Sequence, residues 1–209
     1  MGQRGRKKGA SGEESRALLL SIAAKEFADK GFYETKVSSI VKEANLSQPA
    51  FYLYFDSKEA LFGELVDLFR LELFELTKRS RLEPGIDSST LANRITNGLA
   101  AILCFFVEEP DLTRIGFYLA DDAEDIKNNL TDQIKDNLIF EQQQGYFCSR
   151  LDMSIVAESL VGIIERLTIT KLLPGHKTPE ILATEIVTLL LHGMITHQSS
   201  SSYPFSISD

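Results

Sequence analysis

Apolar residues recur along the chain at spacings of three and four, as on one face of an amphipathic helix, and no segment alternates at the period of two expected of a strand. The first apolar face comprises Leu19, Leu20, Ala23, Ala24 and Phe27. Ser11 and Glu14 have capping-box spacing, which predicts that this helix begins near residue 12. Gly31 is placed to end it in a left-handed conformation.

Two short helical segments follow, separated by a turn. The second apolar face comprises Val37, Ile40, Val41 and Ala44. Thr35 is predicted to cap this helix, because a threonine hydroxyl can accept a bond from a free N–H of the first turn. The turn is predicted at Asn45, since asparagine tolerates positive φ. Ser47 is predicted to cap a third helix that carries Pro49 in its first turn.

The remaining pattern predicts longer helices. The fourth should begin at Asp56, which has capping-box spacing to Glu59, and end near Arg81. Glycine, proline and acidic joints divide the rest into helices at about 89–107, 111–120, 123–144, 152–173 and 178–197. The predicted fold is therefore all-α with about nine helices, in which a three-helix N-terminal domain is joined by a long fourth helix to a larger helical bundle.

An unusual aromatic run, FYLYF at residues 51–55, lies in the third helix. Phe51 and Phe55 are four residues apart, so they can pack on one face. The opposite side would then present Gln48, Pro49, Tyr52 and Tyr54. Two short helices joined by a tight turn form a helix-turn-helix, whose second helix enters the DNA major groove. An aromatic core patch is the alternative interpretation, which the surrounding caps and turn disfavour.

Charge is distributed unevenly and limits where DNA could bind. Residues 1–60 carry 10 Lys and Arg against 8 Asp and Glu, whereas residues 61–209 carry 12 against 22. Since DNA phosphates attract basic surfaces, only the N-terminal part is expected to bind them. The basic residues near the N-terminus are either a solvated end or an additional arm on DNA; they are Arg4, Arg6, Lys7 and Lys8.

The first 65 or so residues resemble the DNA-binding domain of the TetR family of bacterial transcriptional regulators. The resemblance is carried by Ala23-Ala24, Phe27, GFYETKVSSI at 31–40, Leu46-Ser47, the FYLYF run and SKEAL at 57–61. Asn45 departs from a frequent glycine, and Pro49 places an apolar ring where many members have a polar residue or glycine, which bears on the operator that is read. The residues predicted to contact DNA are Thr35, Lys36, Ser47, Gln48, Pro49, Ala50, Tyr52, Tyr54 and Lys58.

The resemblance implies three parts of the chain: a DNA-binding domain at 1–60 with its helix-turn-helix at about 36–55, a ligand-binding and dimerisation domain at 61–200, and a flexible tail at 201–209. It implies a repressor released from its operator by a small apolar or amphipathic molecule. An effector pocket is expected between helices 58–81, 89–107, 111–120, 123–144 and 152–173. Its predicted lining is Phe69, Asn97, Phe105, Phe117, Tyr118, Asn137, Gly162 and Arg166.

The last two long helices carry more apolar positions than one bundle face needs, which predicts a homodimer through a four-helix interface. The alternative is that both apolar stripes face the subunit's own core. The residues predicted at the interface are Ile155, Val156, Leu160, Ile163, Leu167, Ile186, Leu189, Leu190 and Gly193.

Other chemistry finds little support in the sequence. The three histidines are scattered, and the acidic residues at 121–125 lack the spacing of a calcium loop, so no metal, cofactor or catalytic residue is predicted. Cys104 and Cys148 are expected to be reduced core residues. With no secretory signal and no apolar run of about 18 residues, a cytoplasmic protein without membrane contact is expected. A DNA-binding structural or partner-binding protein without an inducer is the alternative function; a filled core would favour it, whereas a cavity with converging polar groups would favour the regulator.

Overall fold

The computed structural model describes residues 8–194, with side chains from residue 12 onward. The helices are α1 (Lys8–Lys30), α2 (Val37–Glu43), α3 (Gln48–Phe51), α4 (Lys58–Ser80), α5 (Ser88–Glu108), α6 (Pro110–Arg114), α7 (Ala123–Gln143), α8 (Met153–Leu167) and α9 (Pro179–His192). α6 and α8 each continue as one π-helical turn, at Ile115–Leu119 and Thr168–Leu172. Residues 8–194 contain no strand, and the predicted all-α class with about nine helices is confirmed.

Several predicted helix ends agree with the structure. Gly31 has φ of 80° and its N–H donates to the Phe27 carbonyl at 2.8 Å, which closes α1. Asn45 has φ of 54° in the turn between α2 and α3. The Ser47 hydroxyl oxygen accepts a bond from the Ala50 N–H at 3.3 Å and caps α3. These ends could be predicted because each depends on a single residue's backbone or capping preference.

Three predicted caps are wrong. α1 begins at Lys8, so Ser11 lies inside the helix and does not cap it. Lys36 occupies the N-cap position of α2 without a side-chain bond, which excludes Thr35 from that role. Ser57, one residue after Asp56, caps α4 by accepting from the Ala60 N–H at 3.1 Å. Capping spacing alone does not identify the cap where two candidate residues are adjacent.

The N-terminal domain is built around apolar side chains from three of its helices. Phe27 of α1, Phe51 of α3 and Leu61 of α4 are all fully buried. Phe51 and Phe55 pack with ring centroids 5.6 Å apart, as the sequence predicts. α3 itself is only one turn long, and residues 52–54 continue as turns. The aromatic run therefore packs behind α3 and holds this short helix in place.

The C-terminal bundle has a core of four phenylalanines, from α4, α5 and the π-helical turn after α6. Phe69, Phe105, Phe106 and Phe117 pack with ring centroids 5.1–6.1 Å apart. Gly116 allows the backbone to approach Phe69, because a Cβ at this position would lie 2.0 Å from the Phe69 Cδ1 atom. This half of the bundle is therefore packed solid.

In the part of the chain that the structure describes, α5 is long and apolar enough by length and composition to cross a membrane. The expectation that no segment reaches this limit is therefore wrong for α5. The finding is weak support for a membrane, because the core helix of a soluble protein passes the same test. α5 packs against α4, α6 and α9, and its Leu103 and Phe106 are buried.

The two cysteines are free thiols. Cys104 is half-buried on α5, and its Sγ lies 3.8 Å from a Glu180 carboxylate oxygen. Cys148 is exposed in the loop between α7 and α8, so its prediction as a core residue is wrong.

Gly116→Ala is expected to destabilise the protein by about 1–3 kcal/mol, because the added methyl overlaps the Phe69 ring in a packed core. Gly63→Ala is the matched control, since nothing lies within 4 Å of a Cβ added there on α4, and the change should be neutral or stabilising. Thermal unfolding followed by circular dichroism measures both. Equal melting temperatures for the two variants would contradict the close approach at Gly116.

Candidate DNA-binding face and effector site

One side of the helix-turn-helix is open to solvent. Lys36, Ser47, Gln48, Pro49 and Tyr52 are exposed on it, opposite the buried rings of the domain core. Ala50 is half-buried. Eight of the nine predicted contact residues, these six with Tyr54 and Lys58, are therefore at least partly accessible.

Two further exposed side chains accompany them that sequence reasoning missed. Tyr33 is 83% exposed in the α1–α2 connection, and Leu53 is 79% exposed just after α3. Leu53 directly follows α3, and Tyr33 precedes α2, where its ring packs edge-on against Phe32. No pattern in the sequence distinguished these two side chains from buried ones.

Tyr54 combines packing with access. Its ring is half-buried against the domain core, and its hydroxyl lies beside α1, 3.8 Å from where a Cβ on Gly12 would be. A packed ring with a free hydroxyl suits a phosphate contact, because the ring fixes the position of the donor.

Thr35 does not lie on this face, and its predicted DNA contact is corrected. The side chain is 1% exposed, and its hydroxyl lies 3.1 Å from the Glu26 carbonyl and 2.8 Å from the Gly31 carbonyl. Both acceptors are at the end of α1, where carbonyls lack helical partners. Thr35 therefore ties the connection before α2 to α1.

Lys58, at the start of α4, makes most of its polar contacts within its own domain. Its ammonium donates to the Phe32 carbonyl at 2.8 Å and to the Thr35 carbonyl at 3.0 Å. The same nitrogen lies 4.2 Å from the Phe32 ring centroid, a cation–π geometry. One of its three N–H donors is left for a phosphate. Its first role is thus to hold α4 against the α1–α2 connection.

Most of the predicted effector pocket is not a pocket. Phe69 and Phe117 fill the aromatic core described above, so their assignment as lining residues is wrong. Phe105 packs in the same core and also lines an open groove of about 390 Å³ between α4 and α5. From the sequence, aromatic rings that pack on one another look the same as rings that surround a ligand.

Three other predicted lining residues are also wrong. Gly162 and Arg166 are exposed on the bundle surface. Asn97 is exposed as well, but it lines an open groove of about 380 Å³ between the end of α4 and α5. The Tyr118 hydroxyl donates to the Glu165 carbonyl at 2.8 Å, and burial, together with the nearby Glu165 carboxylate, raises the pKa of Tyr118 to about 12. Tyr118 is thus a structural link to α8.

A different cavity lies between the end of α4 and helices α5, α7 and α8. It has a volume of about 90 Å³, and Asn137 is the predicted residue that lines it. Its walls are mainly aliphatic. The lining comprises Ser80, Leu82, Ile95, Leu99, Ile102, Ile134, Asn137, Leu138, Glu141, Phe147, Leu160 and Ile164.

Glu141 is the charged residue of this cavity, and sequence reasoning missed it. It is 5% exposed, and its Oε1 atom accepts a bond from the Leu82 N–H at 2.8 Å. Burial raises the pKa of Glu141 above its ordinary value, although the Leu82 bond and the Arg81 charge oppose that shift. A signal existed in the sequence, because Glu141 continues the apolar stripe of Ile134 and Leu138 on α7.

A larger and more open groove, of about 410 Å³, runs between α4 and α7. Leu71 and Phe74 are exposed in it. Arg70 at its edge is already paired, with Asp67 at 2.9 Å and with Asp122 at 2.5 Å. This pairing also gives the predicted acidic cluster at 121–125 a structural role at the start of α7. Within residues 8–194, no three His, Cys, Asp or Glu side chains are grouped to hold a metal ion.

The predicted interface residues on α8 and α9 divide into three groups. Ile155, Leu189, Leu190 and Gly193 are exposed. Val156, Leu160, Ile163 and Leu167 are half-buried. Ile186 is 2% exposed and packs in its own subunit, so its placement at an interface is wrong.

Comparisons with known proteins agree with this architecture. Residues 19–65 match the family described as bacterial regulatory proteins, tetR family. The chain is 47% identical over 186 residues to the HTH-type transcriptional regulator YdgC of Bacillus subtilis (strain 168), covering 89% of this chain and 95% of that protein.

Solved structures share the whole fold at lower identity. A TetR-like transcriptional regulator from Rhodococcus sp. RHA1 superimposes with a TM-score of 0.68 at 22% identity, over 91% of this chain and 98% of that chain. A gamma-butyrolactone receptor, an ArpA-like protein, superimposes with a TM-score of 0.70 at 21% identity, over 90% and 91%. These relatives are transcriptional regulators rather than enzymes. This chain is a helix-turn-helix transcriptional regulator and belongs to the tetR family of bacterial regulatory proteins.

Proposed function

We propose that the protein is a cytoplasmic repressor that binds operator DNA as a homodimer and is released by a small apolar or amphipathic molecule. The observation that carries this proposal is the position of the cavity at the end of α4. The same helix begins in the core of the DNA-binding domain, where Leu61 is fully buried. A ligand in the cavity would thus contact α4, the same helix that packs in the DNA-binding domain.

DNA contact is proposed through the exposed side of α3 and the start of α2. In this proposal Gln48 and Pro49 meet base edges, whereas Lys36, Tyr52 and Tyr54 meet phosphates. The exposure of Lys36, Gln48 and Tyr52 supports it. In a two-fold dimer the two reading helices would enter successive major grooves about 34–36 Å apart.

Dimerisation is proposed through the outer faces of α8 and α9. α8 packs on α7 and α9 packs on α5 within the subunit, yet both helices keep apolar side chains in solvent. The exposed ones are Ile155, Ile169, Ile181, Leu189, Leu190 and Met194. Gly162 is exposed on α8 between Ile155 and Ile169, which would let a symmetry-related helix approach closely.

Repression and release follow from differential binding. An effector shifts the protein only by as much as it prefers one arrangement of α4 over the other. One structural neighbour is a gamma-butyrolactone receptor, which supports a small-molecule ligand for a protein of this fold. That likeness supports a ligand-responsive role without identifying the ligand.

The solid aromatic half of the core favours a second candidate, a DNA-binding structural or partner-binding protein without an inducer. The two candidates differ in response to small molecules. For a regulator, compounds that raise the melting temperature of the purified protein should also lower its affinity for the operator. If no stabilising compound affects DNA binding, the second candidate is supported.

Lys36→Gln and Tyr54→Phe are expected to weaken binding to all DNA sequences, because each removes a donor aimed at phosphates. Losing the lysine contact should reduce the slope of log affinity against log salt by about one. Fluorescence anisotropy with operator fragments selected by the purified protein, over a salt series, measures this. Lys78→Gln, at the far end of α4, is the control and should leave affinity unchanged. Equal affinities for all four proteins would remove both residues from the interface.

Gln48→Ala is expected to change which operator is preferred, with a loss of about 1–3 kcal/mol for the original sequence and less for others. The reason is that an amide side chain at the start of a reading helix can bond base edges. Repeating the selection with the variant measures the change. The same preferred sequence with uniformly lower affinity would show that Gln48 contacts only the backbone.

Ile155→Arg combined with Leu189→Arg is expected to convert the dimer into a folded monomer, because two charges per subunit would enter an apolar interface. Light scattering after size exclusion gives the mass, and circular dichroism confirms that helices remain. Leu71→Arg is the control, since Leu71 is equally exposed but lies on α4. A monomer for the unaltered protein at micromolar concentration would contradict the dimer itself.

A further inference from the structure

The polar groups that line the cavity share one property, namely that they offer hydrogen-bond acceptors. The Ser80 hydroxyl lies 2.8 Å from the Thr77 carbonyl, and the Asn137 side-chain amide donates to the same carbonyl at 3.1 Å. These bonds leave the Ser80 oxygen and the Asn137 side-chain carbonyl free to accept. Glu141 uses one carboxylate oxygen for the Leu82 N–H, and its second oxygen bonds to none of the residues described.

Glu141 is also buried without a countercharge. Among residues 12–194, no Lys, Arg or His nitrogen lies within 4.0 Å of its carboxylate. Arg81 is the nearest cationic group that acts on it, but the Arg81 guanidinium stacks on the Phe140 ring, 3.8 Å from its centroid. A buried carboxylate costs free energy unless it is paired, so a positive partner would stabilise the charged form of Glu141.

The rest of the cavity is aliphatic and small. Its volume of about 90 Å³ equals about three water molecules at their share of liquid volume. This space suits the polar end of a ligand rather than a whole drug-sized molecule. Phe147, from the loop between α7 and α8, is a half-buried lining residue, so it lies where the apolar part of a longer ligand could extend.

We propose that the effector of this protein is an amine, and that its protonated primary ammonium binds the Glu141 carboxylate while Asn137 and Ser80 accept its other N–H bonds. This inference rests on the proposed function, since it names the chemical class of the molecule that the regulator detects. The carbons next to the ammonium lie among the leucine and isoleucine side chains of the cavity, and the rest of the apolar body extends past Phe147.

The same chemistry excludes the other classes of ligand. An anionic ligand would be repelled by the Glu141 carboxylate at close range. A neutral alcohol could donate one hydrogen bond but would leave the carboxylate charge unpaired. A site built to pair a buried polar group discriminates strongly against ligands that lack the matching donor.

The position of Glu141 also connects ligand binding to α4. Its carboxylate anchors the Leu82 N–H, two residues after the last residue of α4. An ammonium on the second carboxylate oxygen would draw negative charge away from the first and so weaken that anchor. Binding at the cavity is thereby transmitted to the end of the helix that supports the DNA-binding domain.

The test uses three probes of equal length, n-hexylamine, 1-hexanol and hexanoate, on the intact protein at pH 7. Isothermal titration and thermal shift measure binding. n-Hexylamine is expected to bind at least about tenfold more tightly than 1-hexanol, because only the ammonium pairs with the buried charge, and hexanoate should not bind. Equal affinities for the amine and the alcohol, or no binding by any probe, would overturn the proposal.

Glu141→Gln separates charge from shape, because glutamine still accepts a bond from the Leu82 N–H. It should reduce n-hexylamine affinity by at least about tenfold and leave the affinity for 1-hexanol within about twofold. Asp136→Asn is the matched control, an exposed carboxylate on the same helix that should change neither affinity. Unaltered amine affinity in the Glu141→Gln protein would overturn the assignment, and the three probes on the unaltered protein decide the question if that variant does not fold.

A DNA-binding assay run in parallel keeps the two proposals apart. If the protein binds an operator but shows no preference for the amine, the ligand class is wrong and the repressor proposal stands. If the amine binds through Glu141 but no operator is bound, the repressor proposal fails and the amine site stands. Release of operator by n-hexylamine, lost in Glu141→Gln, would support both.

Discussion

The burial of one continuous face of α4 is the interaction on which the structure depends. Leu61, Leu65, Phe69, Leu73 and Thr77 recur every four residues, and each is at most 3% exposed. The first two lie in the N-terminal domain, and the later ones lie in the bundle, so one helix belongs to both cores. Because a packed helix transmits displacement rather than absorbing it, the DNA-binding face and the cavity are mechanically connected. The short helix α3, in contrast, is held in position by neighbouring aromatic side chains.

Much of the fold could be predicted because local signals and packing agree. The helical periodicity, the glycine at the end of α1 and the serine before α3 each depend on residues close in sequence. Thr35 and Lys58 could not be placed, because their partners are carbonyls of the α1–α2 connection and of the end of α1. Both are polar residues in a DNA-binding motif, and only the folded arrangement shows that they serve the domain's interior.

The cavity was harder to predict than the DNA-binding face. Phe69 and Phe117 are of a residue type that is common in ligand-binding sites. Their rings nevertheless pack against each other, with centroids 5.3 Å apart. Glutamate is usually a solvated surface residue. Glu141 is nevertheless buried, in line with the apolar stripe of α7, and accepts a bond from a backbone N–H. Side-chain type therefore predicted lining residues that are not there and missed one that is. Whether a side chain lines a cavity depends on the space that the neighbouring helices leave unfilled. Position within the apolar stripe was the better guide.

The bonds from Lys58 to the carbonyls of Phe32 and Thr35 join the first residue of α4 to the connection between α1 and α2. Because these two bonds fix α4 to the connection, a tilt of α4 would carry α1, α2 and α3 with it. α4 has 23 residues, so at about 1.5 Å per residue it is about 34 Å long, and a tilt of about 5° around its far end moves this joint by about 3 Å. In the proposed symmetric dimer the two displacements would add. A small tilt of α4 would then shift two DNA-binding domains away from a spacing that fits successive major grooves of DNA.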